Sequence, residues 1–204
     1  MANQDAPFGF RAVGGMGSSY ETQGTSKYQI NDNYTSAIYQ GDVVMTGDGG
    51  SDGPTNTSVA GYIAPSAVGD NNNVGIFNGC FYNDPTTQKP TWKNYYPGAI
   101  NITQGYIDAF VYDNPQQLYE SQTAGTLTQS DAGNLIDMAT YVAGSTVNGS
   151  SNEELHTASI SNTATFRILR LSGDPSNSDT SSANSNWIVR FNESIYYDRA
   201  VKTA

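Results

Sequence analysis

The chain has 204 residues, nineteen acidic against nine basic, for a formal net charge of −10, and only 14% of it is charged. Typical globular proteins carry about 25% charged residues, so the polarity here comes from Asn, Ser, Thr, Gln and Gly, the residues of turns, loops and exposed strand faces. The acidic balance argues against nucleic-acid binding and against an anionic membrane surface, and no apolar run is long enough to span a bilayer.

Residues 1–36 open with MANQDAPFGF, which has neither a basic region nor an apolar core, so no signal peptide is expected. Phe8, Phe10, Val13, Tyr20, Tyr28 and Ile30 stand alone among Gly, Ser, Thr and Gln. Such a segment cannot build its own core and is read as an extended arm that packs on something else, with Phe8-Gly-Phe10-Arg11 as its anchor. Gly14-Gly-Met-Gly17 is read as a hinge, because no helix follows to make it a phosphate-binding turn.

The remainder, 37–204, carries strand signals: Tyr, Val, Ile, Phe and Thr in short runs bounded by Gly, Asn, Asp and Pro. Ala37–Tyr39 and Val43–Met45 are expected to pair across Gly41-Asp42. Gly47–Ser58 is a low-complexity loop. Its Asp48-Gly-Gly-Ser-Asp52-Gly start lacks the EF-hand glutamate, the twelfth position being Val59. Val74–Tyr82 is expected to be a buried strand pair or one bent strand, with Gly79 at the turn or bulge.

Aromatic residues Trp92, Tyr95 and Tyr96 follow. Tyr106–Tyr112 reads as a central strand interrupted only by Asp108 and stopped by Asp113-Asn-Pro115. Leu118–Glu120 is a short strand, Ser130–Asn134 a turn or single helical turn, and Leu135–Val142 a strand or a helix. Ala164–Leu171 and Asn186–Phe191 alternate as half-buried strands do, and Ile195–Tyr197 ends the series. The polar loop Ser172–Ser185 is of a length that is usually functional or disordered. The class is therefore all-β, a β-barrel or sandwich of short antiparallel strands with an extended N-terminal arm. One barrel and two small β subdomains both remain open for 37–204.

Catalytic chemistry finds little support. His156 is the only histidine and Cys80 the only cysteine. No nucleophile elbow accompanies them, and a thiol in an apolar strand tends to be inert. A zinc site would need both plus two acids. A carboxylate pair for glycoside hydrolysis stays open among nineteen acids, with Asp108 the most conspicuous, although a solvent-facing place for it in an alternating strand is the simpler reading. No catalytic residue, cofactor or metal is assigned. Fourteen Tyr and two Trp serve either cores or interfaces, including sugar-stacking faces.

Several segments in order resemble the head decoration, or cement, proteins of tailed phages. They are Gly9-Phe-Arg-Ala-Val13, Tyr39-Gln-Gly-Asp-Val-Val44, Val74-Gly-Ile-Phe-Asn-Gly79, Val111-Tyr-Asp-Asn-Pro115 leading into Leu118–Gln122, Asn148-Gly-Ser-Ser-Asn152 before Leu155, and Arg167–Leu171 followed by Pro175. Ala12 stands where the family pattern has Pro. The resemblance implies a β-barrel on the outside of a capsid, bound to the major capsid protein and assembled in the host cytoplasm. It implies a non-enzymatic structural virion protein with no cofactor. Self-association as a homotrimer is expected, since closed cyclic symmetry is the usual solution. Phe8, Phe10, Arg11 and Val13 are the residues expected to touch the capsid or a neighbouring protomer. The alternative is a glycan-binding virion fibre or adhesin module.

Overall fold

The structure is a computed structural model, and it describes residues 3–16, 24–32, 34–47, 61–70, 72–102, 105–139, 142–161 and 164–196. The loop expected at 47–58 lies outside these residues apart from Gly47, as does Tyr197.

Two antiparallel sheets of six strands each make a sandwich-like all-β fold. The first sheet comes from the N-terminal half: β2 (Ser26–Ile30), β3 (Val43–Thr46), β4 (Ile63–Pro65), β5 (Asn73–Asn83), β6 (Pro90–Lys93) and β7 (Ile107–Tyr112). Its order is β2-β7-β5-β3-β4, with β6 on the far end of β5. The second sheet takes β1 (Arg11–Gly15) from the N-terminus and five strands from the C-terminal half. These are β8 (Gln117–Gln122), β9 (Leu135–Met138), β10 (Leu155–Ser161), β11 (Phe166–Leu171) and β12 (Asn186–Phe191), in the order β1-β8-β12-β11-β9-β10.

Each sheet buries its own apolar cluster. Phe77, Cys80, Tyr96, Ile107, Ala109 and Val111 lie in the first, and Phe10, Tyr119, Phe166, Trp187, Val189 and Phe191 in the second. Val43 and Ile76 come from strands of the first sheet but pack into the second cluster, and so lock the sheets together.

The strongest sequence pattern is realised in β7. Ile107, Ala109 and Val111 are buried while Asp108, Phe110 and Tyr112 are half-buried, as the two-residue period of a strand dictates. Asp108 faces outward and pairs with Lys27 of β2 at 3.2 Å. Asp108→Asn is therefore expected to change stability by less than about 1 kcal/mol, as for other exposed ion pairs, in a denaturant titration. The chain crosses to the second sheet at Asp113–Gln116. There the Asn114 carbonyl accepts from Gln117 N–H at 3.0 Å and its side-chain oxygen accepts from Gln116 N–H at 2.8 Å. Asp113 also accepts from Ser26 Oγ and Tyr28 Oη, both at 2.8 Å, and so fastens the β2 edge.

Val74–Tyr82 lies within one long strand, and its register slips between Phe77 and Gly79. Gly79 has φ +153°, and the Trp92 indole lies over it, filling the place a Cβ would take. The turn after Tyr39 differs from the expected hairpin. Asp42 N–H donates to the Tyr39 carbonyl at 3.0 Å, but the flanking strands diverge: Ile38 bridges to Tyr96, whereas Val43 pairs with Ile76. Gln40 is drawn off to Ser150 in a parallel bridge, so the two sides of the turn cannot meet.

Ser130–Asn134 overlaps one 3-10 turn, Gln129–Asp131, and the next segment begins as a strand, β9, over Leu135–Met138. β12 is not half-buried. Asn186 and Ile188 are buried as well as Trp187 and Val189, because β12 is interior to its sheet and the 172–185 loop covers Asn186. That loop is tied to the N-terminal segment and to β12 by side-chain hydrogen bonds. Asn177 is buried, and its side-chain amide donates to the carbonyls of Asn184 and Gln4, both at 2.8 Å. Residues 195–196 form a turn instead of the last expected strand.

Candidate functional site

Residues 3–15 are extended, as expected, but they are built into the fold. Asn3 Nδ2 donates to the carbonyls of Asp179 and Ala183 at 2.8 and 2.7 Å, and Ala6 N–H donates to Gln122 Oε1 at 3.0 Å. β1 then pairs with β8 at the sheet edge. The 36/37 boundary is therefore no break in the structure, since β1 and β2 belong one to each sheet.

The four residues expected to make contacts have different fates. Phe10 is 2% exposed and stacks on Phe166, ring centroids 4.4 Å apart and planes at 14°. It is a core residue of its own chain and is not presented to a partner. Its N–H donates to the Gly41 carbonyl at 2.9 Å. Gly9, at φ +74°, lets the chain lie against Gly41 and Ser151: an added Cβ would come within 2.6 Å of Ser151 Cβ. Arg11 pairs with Glu120 and places its guanidinium 5.0 Å from the Phe8 ring centroid. Glu120 is buried and also accepts from Ser172 Oγ. Val13 is half-buried at a register shift between Ala12 and Gly14, where β1 bulges.

Phe8 and Arg11 flank a groove of about 300 Å³ where the two sheets meet. Gln40, Asn78, Tyr112 and Ser150 share its lining, with Phe10 and Ile76 also contributing. Gln40 Nε2 donates to Asn78 Oδ1 at 3.0 Å, so the polar wall is preorganised. An aromatic rim, a guanidinium and fixed amides suit a protein loop or side chain better than a reacting small molecule.

Two segments that line this groove, 40–41 and 150, run on into a pair of buried acids. Asp42 and Glu153 are both essentially inaccessible. Asp42 Oδ2 accepts from Tyr39 N–H at 2.7 Å and Glu153 Oε2 from Val43 N–H at 2.9 Å. Burial pushes the Asp42 carboxyl up to about 7, against hydrogen bonds from Ser151 and Tyr39 that lower it. Burial, and then the charge of Asp42, push Glu153 well above the usual carboxylate range. Sequence reading passed over both, because an acid after Gly41 looks like a turn residue and Glu153 sits in a polar run.

The thiol of Cys80 is buried in β5, donates to the Tyr95 carbonyl at 3.5 Å, and is pushed up to about 12 by that burial. His156 is exposed on β10 of the other sheet, whereas Cys80 is fully buried in the first. Among the described residues no cluster of three or more His, Cys, Asp or Glu is placed to hold a metal ion. A second surface is aromatic. Phe81 and Trp92 face each other across β5 and β6, at 39% and 51% exposure, and Trp92 contacts Phe110 at 5.1 Å. No family model, curated protein or solved structure matches the chain.

Proposed function

We propose that this chain is a structural virion protein that binds the outside of the major capsid protein lattice and stabilises the phage head. The observation that carries the reading is the groove at the sheet junction. It is rimmed by Phe8 and Arg11, from the segment in which the resemblance to decoration proteins begins. Its walls are held from several directions, so little conformational entropy is lost when a partner docks. A weak contact of this kind, repeated over a symmetric lattice, gains avidity, and a trimer of this chain would multiply it further. The acidic surface keeps decorated particles apart. In this reading the N-terminal segment acts as a rigid ridge, with Phe8 and Arg11 in contact with the capsid and Phe10 holding the ridge in place.

The test is co-sedimentation with expanded shells that lack the protein. Phe8→Ala combined with Arg11→Ala is expected to weaken shell binding tenfold or more, as loss of an aromatic and an arginine anchor does at an interface centre. The variant's circular dichroism should match that of the parent. Undiminished binding would remove the groove from the interface.

A second reading, glycan binding, is favoured by the half-exposed Trp92 beside Phe81. Indole fluorescence titrated with oligosaccharides should shift if that face stacks on sugars, and a flat titration removes the reading.

A further inference from the structure

The two chain halves are stitched together beside the groove by residues 39–43 and 149–153. Gln40 N–H donates to the Gly149 carbonyl and Ser151 N–H to the Gln40 carbonyl, both at 2.9 Å. Val43 N–H donates to Glu153 Oε2 at the same distance, and Ser151 Oγ accepts from Glu153 N–H at 3.0 Å. Within this seam, Asp42 Oδ1 and Glu153 Oε1 are buried side-chain atoms with no hydrogen-bond partner. Two buried carboxylates with no cation between them repel strongly in a medium of low polarity, and a proton held by one of them turns the repulsion into a hydrogen bond.

We propose that Asp42 and Glu153 form a proton-held latch, in which one proton bridges Asp42 Oδ1 and Glu153 Oε1 and clamps 39–43 against 149–153. At alkaline pH the proton leaves, and the seam beside the groove loosens. The groups acting on the pair bear this out. Among the described residues no lysine, arginine or histidine acts on either acid. Tyr34 also feels the charge of Asp42, and its phenol is held neutral by burial first and by that charge second. On the N-terminal segment Arg11 is committed to Glu120, and Asp5 acts on Glu154. A metal ion fits less well. Calcium takes six to eight oxygen ligands, and the pair with Ser151 offers few in a site closed to water.

The sign follows from linkage. A carboxyl whose folded pKa is raised contributes its full stability below the unfolded value near 4, and loses it as pH rises through the folded value. The window therefore opens near pH 4 and runs through the Asp42 ionisation at about 7, with Glu153 losing its proton well above the usual carboxylate range. The melting temperature of the wild-type chain is expected to fall by roughly 10 °C across this window, relative to a variant without the latch. Asp42→Asn and Glu153→Gln put a permanent N–H donor where the proton sits. Each should flatten the fall while keeping the melting temperature at pH 5 near that of the parent.

Carboxyl 13C NMR of the wild-type protein reads the same event even if a variant fails to fold. At least one of the two carbons should titrate well above the usual carboxylate range. Parallel pH profiles for wild type and variants, or both carbons titrating near pH 4, would overturn the latch. So would a melting temperature at pH 8 that calcium raises and EDTA lowers, because the pair would then hold a cation.

Discussion

Phe10→Ala is expected to cost about 3–5 kcal/mol of folding stability, the range for removing a buried phenylalanine. Phe10 is 2% exposed, stacks face to face on Phe166, and sits in the cluster with Trp187 and Phe191. Its backbone N–H is also held by the Gly41 carbonyl, so the chain at residue 10 cannot shift inward to close the cavity. Phe8→Ala, two residues earlier and on the groove rim, should cost clearly less, since Phe8 is only half-buried and part of its ring stays in water on folding. The pair separates two views of the N-terminus. If the segment were an external anchor, both substitutions would leave stability alone and weaken partner binding. If it is part of the fold with one half-exposed residue, the first destabilises far more than the second. Urea unfolding of the two variants decides it, and a Phe10→Ala midpoint equal to the parent's would contradict the placement of β1.

The second large effect lies in β5. A Cβ at Gly75 would strike the carbonyl of Tyr112 and the side chain of Val111 on the neighbouring strand. The obstacle is backbone inside a sheet, between β5 and β7 at the centre of their sheet, so it cannot rotate aside. Gly75→Ala is expected to destabilise by about 3 kcal/mol or more, at the upper end of overpacking costs. Gly47→Ala is the matched control. The nearest atom to its Cβ would be Ala64 Cβ at 3.4 Å, an ordinary contact, and the change should fall within about 0.5 kcal/mol. Thermal unfolding of both distinguishes the obstruction at Gly75 from a general intolerance of side chains in this sheet. A Gly75→Ala protein as stable as the control would contradict the β5–β7 register.

The strands that carry large apolar side chains at two-residue spacing were legible in the sequence. Ile107, Ala109 and Val111 announce β7, Phe166 and Ile168 announce β11, and Trp187, Val189 and Phe191 announce β12. Strands held chiefly by backbone pairing were not. β1 and β2 lie in a Gly-, Ser- and Gln-rich stretch, and among the side chains described in β10 only Leu155 is buried in the core. An edge strand needs few apolar contacts once its neighbour supplies the hydrogen bonds, so its sequence carries little pattern. The pairing of 37–39 with 43–45 failed for a related reason. Local turn chemistry at Gly41-Asp42 is genuine, but the partners of both flanks are chosen by distant segments, Tyr96 and Ile76.

At the candidate site, Phe8 and Arg11 were visible as an aromatic–basic pair in an otherwise polar segment. Phe10 had the same look yet turned inward, because residues in an extended chain alternate faces only where the chain is regular, and Gly9 breaks that regularity. Asp42 and Glu153 are 111 residues apart in sequence, and nothing but the fold brings them together.

The central claim, that this chain decorates a capsid, is tested most directly by titrating the purified protein onto expanded shells that lack it and reading the pelleted ratio. Saturation is expected at a fixed number of copies per capsid subunit, unchanged by further protein, with the ratio set by the symmetry sites occupied. Protein that remains in the supernatant at every concentration, or that pellets in proportion to the amount added without a plateau, would contradict it.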